Sequence, residues 1–98
     1  MKKLLVILFT LLINSTYGQV DLTDKFRELF NENSYDEIIR YKPKKDEELT
    51  AKALYYIGMS YYMKSQDNAA MKYIDMAIEK GPVDWDMFYY KGMLLFYA

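Results

Sequence analysis

The sequence predicts an all-α protein. Apolar residues recur at helical spacing in successive segments, and stop signals separate those segments. No useful length of chain alternates with the period of two that a half-buried strand requires. A chain of 98 residues argues for one domain at most. With 52% apolar and 28% charged residues it has the balance of a globular protein.

Residues 1–18 stand apart from that fold. Met1, Lys2 and Lys3 give a positive start, Leu4 to Ile13 is an apolar run broken by Thr10, and Asn14 to Gly18 is a polar tail with small residues at Thr16 and Gly18. This order is that of a secretory signal peptide, with cleavage expected after Gly18 and Gln19 as the mature N-terminus. The competing reading, an uncleaved anchor, needs roughly 20 apolar residues. Leu4 to Ile13 falls well short of that, so no stable membrane span is expected after cleavage. No cysteine follows, which removes lipid attachment through a thiol. Taking Lys2 and Lys3 from 13 basic side chains leaves 11 against 14 acidic ones, a mature net charge of −3.

The domain is therefore expected over residues 19–98. Its first segment carries Val20, Leu22, Phe26, Leu29 and Phe30 at helical spacing, and Asn31 to Ser34 closes it. Ser34-Tyr35-Asp36-Glu37 has the form of a capping box, in which Ser34 and Glu37 satisfy each other's backbone donors. A short helix with Ile38, Ile39 and Tyr41 follows, and Pro43 stops it. A longer helix is expected from near Asp46, where Glu47 and Glu48 suit its positive end, with Leu49, Ala53, Leu54, Ile57 and Tyr61 on its apolar face. Lys64 to Asp67 is a turn in which Ser65 or Asp67 is expected to cap the next helix. That helix carries the cleanest stripe in the chain, Ala70, Tyr73, Ile74, Ala77 and Ile78, and Gly81-Pro82 ends it. Asp84 is expected to cap a last helix, Trp85 to Tyr97.

Gly58 and Gly92 lie 34 residues apart, each inside a helix containing a Tyr-Tyr pair. Between them Leu54, Ile57, Gly58 and Tyr61, then Ala70 and Ile74, then Pro82 fall at the spacing W-x2-L-G-x2-Y, A-x3-F, P, with Ala77 at a further small-residue position. This stretch resembles the tetratricopeptide repeat (TPR) family. The resemblance implies antiparallel helical hairpins stacked as a short right-handed solenoid. The best repeat covers 51–84, a shortened one about 22–50, and half a repeat 85–98. In the last, Phe88, Gly92 and Leu95 fit, while Lys91 occupies an apolar slot. The first unit is about two residues short. Small side chains at Gly58 and Ala70 are expected where the two helices of the best repeat cross. An unrelated helical bundle is the competing fold.

Function follows from what the residues lack and what the resemblance supplies. Without cysteine or histidine there is no disulfide, thiolate nucleophile, histidine base or ordinary zinc site. The near-neutral charge offers no field for nucleic acid. Ser34, Ser60 and Ser65 have no base to activate them. Asp84-x-Asp86 has the donors of a hard-cation site, but two acids at a helix start read better as a cap and a dipole partner. Glu47-Glu48 reads the same way, and Lys42 to Lys45 as a solvated loop. No catalytic residue, cofactor or metal is expected.

In the TPR family the first helices of successive repeats line a groove that holds a peptide or a partner's helix. By register the groove positions here are Lys52, Tyr55, Met59, Tyr62 and Met63, then Asp86, Tyr89, Met93 and Phe96. The set draws on an unusually tyrosine-rich chain (11 residues) and is aromatic and methionine-rich, as adaptable protein-binding surfaces are. The alternative is that these residues are buried against the chain's own N-terminal helix or against further repeats outside this sequence. Only Lys52 suits the family's clamp for C-terminal carboxylates, so that role is not expected. The leading expectation is an exported, periplasmic or secreted, interaction module whose partner is a protein or peptide. The alternative is the N-terminal structural part of a longer exported protein. The last helix leaves Phe88, Leu95 and Phe96 for a second copy, a partner or a further helix to cover.

Overall fold

The backbone of residues 20–50 is organised by a short strand pairing, two hydrogen-bonded helix starts and a left-handed turn. The computed structural model describes residues 20–82 and 84–97, so the expected signal peptide lies outside the described residues. Val20–Asp21 (β1) pairs in parallel with Glu47–Glu48 (β2), Val20 opposite Glu47 and Asp21 opposite Glu48. The Asp21 carboxylate then accepts from the Thr23 amide at 2.8 Å and the Thr23 hydroxyl at 2.5 Å. These bonds set the start of helix α1 (Thr23–Asn31). Thr23 in turn shares a 2.7 Å hydrogen bond with Thr50, whose Oγ1 accepts from the Ala53 amide at 3.1 Å and caps helix α3 (Ala51–Met63).

Two expectations are corrected here. Val20 belongs to β1 rather than to the first helix, and the long helix begins at Ala51 rather than near Asp46. The reason is that Glu47 and Glu48 give their backbones to β1, and Thr50 supplies the stronger helix start. The fold remains all-α apart from this two-residue pairing.

Helix α2 (Tyr35–Arg40) turns back from α1. Ser34 makes no side-chain capping bond, so the capping box does not form. The turn is held from the other side. Asn33 adopts φ +61°, its amide reaches Phe30 O at 3.0 Å, and the Ser34 amide reaches Leu29 O at 2.8 Å. This is a Schellman motif with asparagine in the left-handed position.

The turn from α3 to helix α4 (Asp67–Lys80) repeats it. Ser65 has φ +60°, Ser65 N–H bonds Tyr62 O at 3.0 Å, and Gln66 N–H bonds Tyr61 O at 2.9 Å. Neither Ser65 nor Asp67 is therefore the cap expected. Ser65 ends α3, Gln66 is the N-cap residue without a side-chain bond, and Asp67 is already the first residue of α4. The two left-handed turn residues stand at positions 33 and 65, 32 residues apart.

Antiparallel packing of α3 on α4 is the tightest contact in the molecule. A Cβ added at Gly58 would lie 2.8 Å from Ile74 Cγ1, 3.1 Å from Ile74 N and 3.2 Å from Ala70 O, so glycine is what lets the backbones approach. Ala70, Ile74 and Ala77 are fully buried beneath Leu54, and Tyr61 stacks on Tyr73 at 5.5 Å between centroids. After α4, Gly81 takes φ +59°, Pro82 is exposed, and helix α5 (Trp85–Tyr97) returns across α4 with Met87 and Leu94 buried. Lys91 stands in its apolar slot because Asp75 of α4 faces it, the ammonium lying 2.8 Å from Oδ1.

Two cores result. Leu22, Phe26, Ile38, Ala53 and Ile57 form one between α1, α2 and α3. Leu54, Tyr55, Met59, Ala70, Ile74, Ala77, Met87 and Leu94 contribute to the other, between α3, α4 and α5. No helix among the described residues is long and apolar enough to cross a membrane.

Candidate interaction cleft

Helices α3 and α5 meet through tyrosine rings rather than through close backbones. Tyr90 lies 6.4 Å from Tyr55 and 5.6 Å from Tyr62, centroid to centroid. Rings this large hold the helix axes apart, and the space left is an open cleft of about 400 Å³. Tyr55 and Met59 form its floor, only 6% and 5% exposed. Phe30 at the end of α1 and Tyr35 at the start of α2 close one side, with Tyr56 and Tyr90 also lining it. The rim is Met63, Asp86 and Tyr89, all exposed.

Of the nine groove positions expected from the sequence, this cleft unites Tyr55, Met59, Met63, Asp86 and Tyr89. Tyr62 and Met93 lie beside it in a second depression that Met63 shares, together with Ser65, Asp67 and Leu94. Phe96 is on the outer side of α5, grouped with Phe88, Tyr89, Gly92 and Met93. Lys52 lines no part of the cleft floor. Its ammonium is 2.7 Å from Asp84 Oδ2 and sits 5.2 Å from the Tyr55 ring centroid and 5.9 Å from that of Tyr56. The Asp84 carboxylate is thus engaged by Lys52 across the mouth between α3 and α5. The alternative of burial against the N-terminal helix applies to Tyr55 and Met59, whose sides are covered in part by Phe30.

Phe30, Tyr35, Tyr56 and Tyr90 were not among the expected groove residues. The repeat register counts only the first helix of each unit. Phe30 and Tyr35 reach the cleft because the Asn33 turn aims them at α3, where Phe30 contacts Tyr35 at 5.3 Å and Tyr56 at 5.6 Å. The signal available in the sequence was the aromatic density itself.

The electrostatics are simple. Burial, and then the neighbouring Asp86 carboxylate, push the Tyr55 phenol far above its ordinary value, which favours its neutral form. The Tyr56 hydroxyl, and then Asp24, favour the charged form of Arg27 on the α1 side. Among the described residues Asp86 has no ion-pair partner. It is the one charged side chain in the cleft lining.

The expected repeat-defining residues divide in the same way. Leu54, Gly58, Ala70, Ile74 and Ala77 are buried at the α3–α4 crossing, with Tyr61 half-buried beside them, while Ile57 is buried on the other face of α3, against α1 and α2. Gly92, one period on, is exposed, with nothing within 4 Å of a Cβ added there. The outer face of α5 around it presents Trp85, Phe88 and Leu95, which are 88%, 49% and 62% exposed. Against known proteins, no family model, no curated sequence and no solved structure matches the chain.

Proposed function

We propose that the chain is an exported protein–protein interaction module, built as a short TPR-like right-handed solenoid, which binds a peptide or helix of its partner and catalyses nothing. The single observation that carries this reading is the cleft between α3 and α5. It is open, lined by aromatic and methionine side chains, and walled by helices rather than mobile loops. Such surfaces suit a helix or extended segment laid into a groove, because rigid rings supply contact area and thioethers adapt to its shape.

A photo-cross-linking residue placed at Tyr89, on the rim, tests it in the producing cell. A product formed from Tyr89 and absent when the same residue is placed at Lys72, on the outer side of α4, supports the groove. Equal products from both positions, or none from Tyr89, count against it.

The outer face of α5 favours a second reading. By the 34-residue register Phe88, Gly92 and Leu95 correspond to Leu54, Gly58 and Tyr61, the positions that α4 covers on α3. A second copy of the chain, or a further helix of a longer exported protein, is the covering this face calls for. Light scattering on the purified chain distinguishes them. Dimers that become monomers on Trp85→Lys plus Leu95→Glu identify a second copy. A monomer throughout, with the reading frame continuing past Ala98, identifies the longer protein.

A further inference from the structure

We propose that the cleft recognises a basic side chain, arginine in preference to lysine, presented by a peptide segment of the partner. This rests on the reading of the cleft as the partner groove and adds its chemistry. The rings are not parallel. Tyr89 meets Tyr90 edge-on, at 83° and 5.3 Å, while Tyr55 is tilted by 52° to Tyr90 and 56° to Tyr56. The rings that line this one volume are thus inclined to one another rather than stacked, so a cation entering it meets more than one ring quadrupole.

The chain already uses two of these rings in that way. Lys52 holds its ammonium within 6 Å of the Tyr55 and Tyr56 centroids, inside the range of cation–π attraction. Lys52 is itself neutralised by Asp84, which leaves the Asp86 carboxylate on the rim for an incoming charge.

Other occupants fit less well. An acidic side chain would meet Asp86 and the negative faces of the rings. A purely apolar side chain would cover Asp86 without supplying it a partner, and an unpaired carboxylate removed from water is costly. A guanidinium satisfies both demands, because its plane stacks on a ring while its N–H groups reach a carboxylate.

The test uses the purified full chain and three probes: a short alanine–leucine helical peptide amide carrying one arginine, the same peptide with neutral citrulline in its place, and choline chloride. Binding is followed by NMR at the methyl groups of Met59 and Met63 and at the tyrosine rings. The arginine peptide is expected to bind on the order of tenfold more tightly than the citrulline peptide at the same resonances. In Asp86→Asn, an exposed site where folding is not at stake, the preference should shrink several-fold while citrulline-peptide affinity holds. Tyr89→Ala should lower arginine-peptide affinity as well.

Equal binding of the two peptides at the cleft overturns the basic-side-chain inference and leaves the groove reading standing. No shift at Met59 or Met63 with either peptide overturns both. Choline shifting these resonances while the arginine peptide does not overturns the peptide source in favour of a quaternary ammonium ligand.

Discussion

Replacing Gly58 by alanine adds one methyl at the closest approach of α3 and α4. Replacing Gly92 by alanine adds the same methyl to α5, one 34-residue period later, in open space. The two substitutions share their intrinsic term, since alanine is favoured over glycine inside a helix by about 0.5–1 kcal/mol. They differ in what the methyl meets. At Gly58 two of the three contacts are backbone atoms, Ile74 N at 3.1 Å and Ala70 O at 3.2 Å, and the third, 2.8 Å away, is Ile74 Cγ1, on a stiff β-branched side chain. None can yield without moving α4, and overpacking of that kind costs about 1–3 kcal/mol.

Gly92→Ala should therefore be more stable than the parent, and Gly58→Ala less stable than Gly92→Ala by about 1–3 kcal/mol. For a domain of this size each kcal/mol moves the thermal midpoint by about 4–8 °C. Circular dichroism melts of the three proteins, with urea titrations to confirm a common slope, give the comparison. Equal stabilisation by both substitutions would refute the tight crossing and with it the register that pairs Gly58 with Ala70.

Thr50→Ala removes the acceptor for the Ala53 amide and the partner of Thr23 together. A loss of about 1 kcal/mol in urea unfolding is expected. Tyr55 carries a phenol whose folded value is raised, by burial first, so its contribution to stability is complete below the ordinary value of 10.0 and is lost as pH rises beyond it. Unfolding free energy should fall more steeply above that pH in the parent than in Tyr55→Phe, and parallel curves would show that this ring does not govern the alkaline limb. Protein recovered from its native host should give an intact mass beginning at Gln19, whereas intact Met1 in the cytoplasm would remove the export reading.

The helical stripe Ala70, Ile74 and Ala77 was legible in the sequence because burial on one face imposes a period that composition cannot hide, and all three are fully buried. The close approach of Gly58 to Ala70 was expected from the tetratricopeptide resemblance rather than from periodicity, and a Cβ at Gly58 would lie 3.2 Å from Ala70 O. What the periodicity could not reveal were features without a period. The pairing of β1 with β2 is two residues long and leaves no alternation to find. The Ser34 capping box matched in letters but lost to the Asn33 turn, which satisfies the end of α1 through the backbone instead.

The cleft was legible only in part. Tyr55, Met59 and Tyr89 were expected in a groove by the repeat register that the tetratricopeptide resemblance implies. Phe30 and Tyr35 arrive from the N-terminal hairpin, and only tertiary packing brings that hairpin alongside α3.

Helix α3 is a wall of both cores at once: Ala53 and Ile57 face one, Leu54, Tyr55 and Met59 the other. It cannot open without exposing apolar surface on two sides, whereas α1 or α5 can each detach at the expense of one. Amide hydrogens in α3 should therefore exchange with solvent most slowly, at the rate of global unfolding, while those of α5 exchange through a smaller, partial opening. A partner seated between α3 and α5 would close that partial opening, so that its arrival is recorded first as slowed exchange along α5.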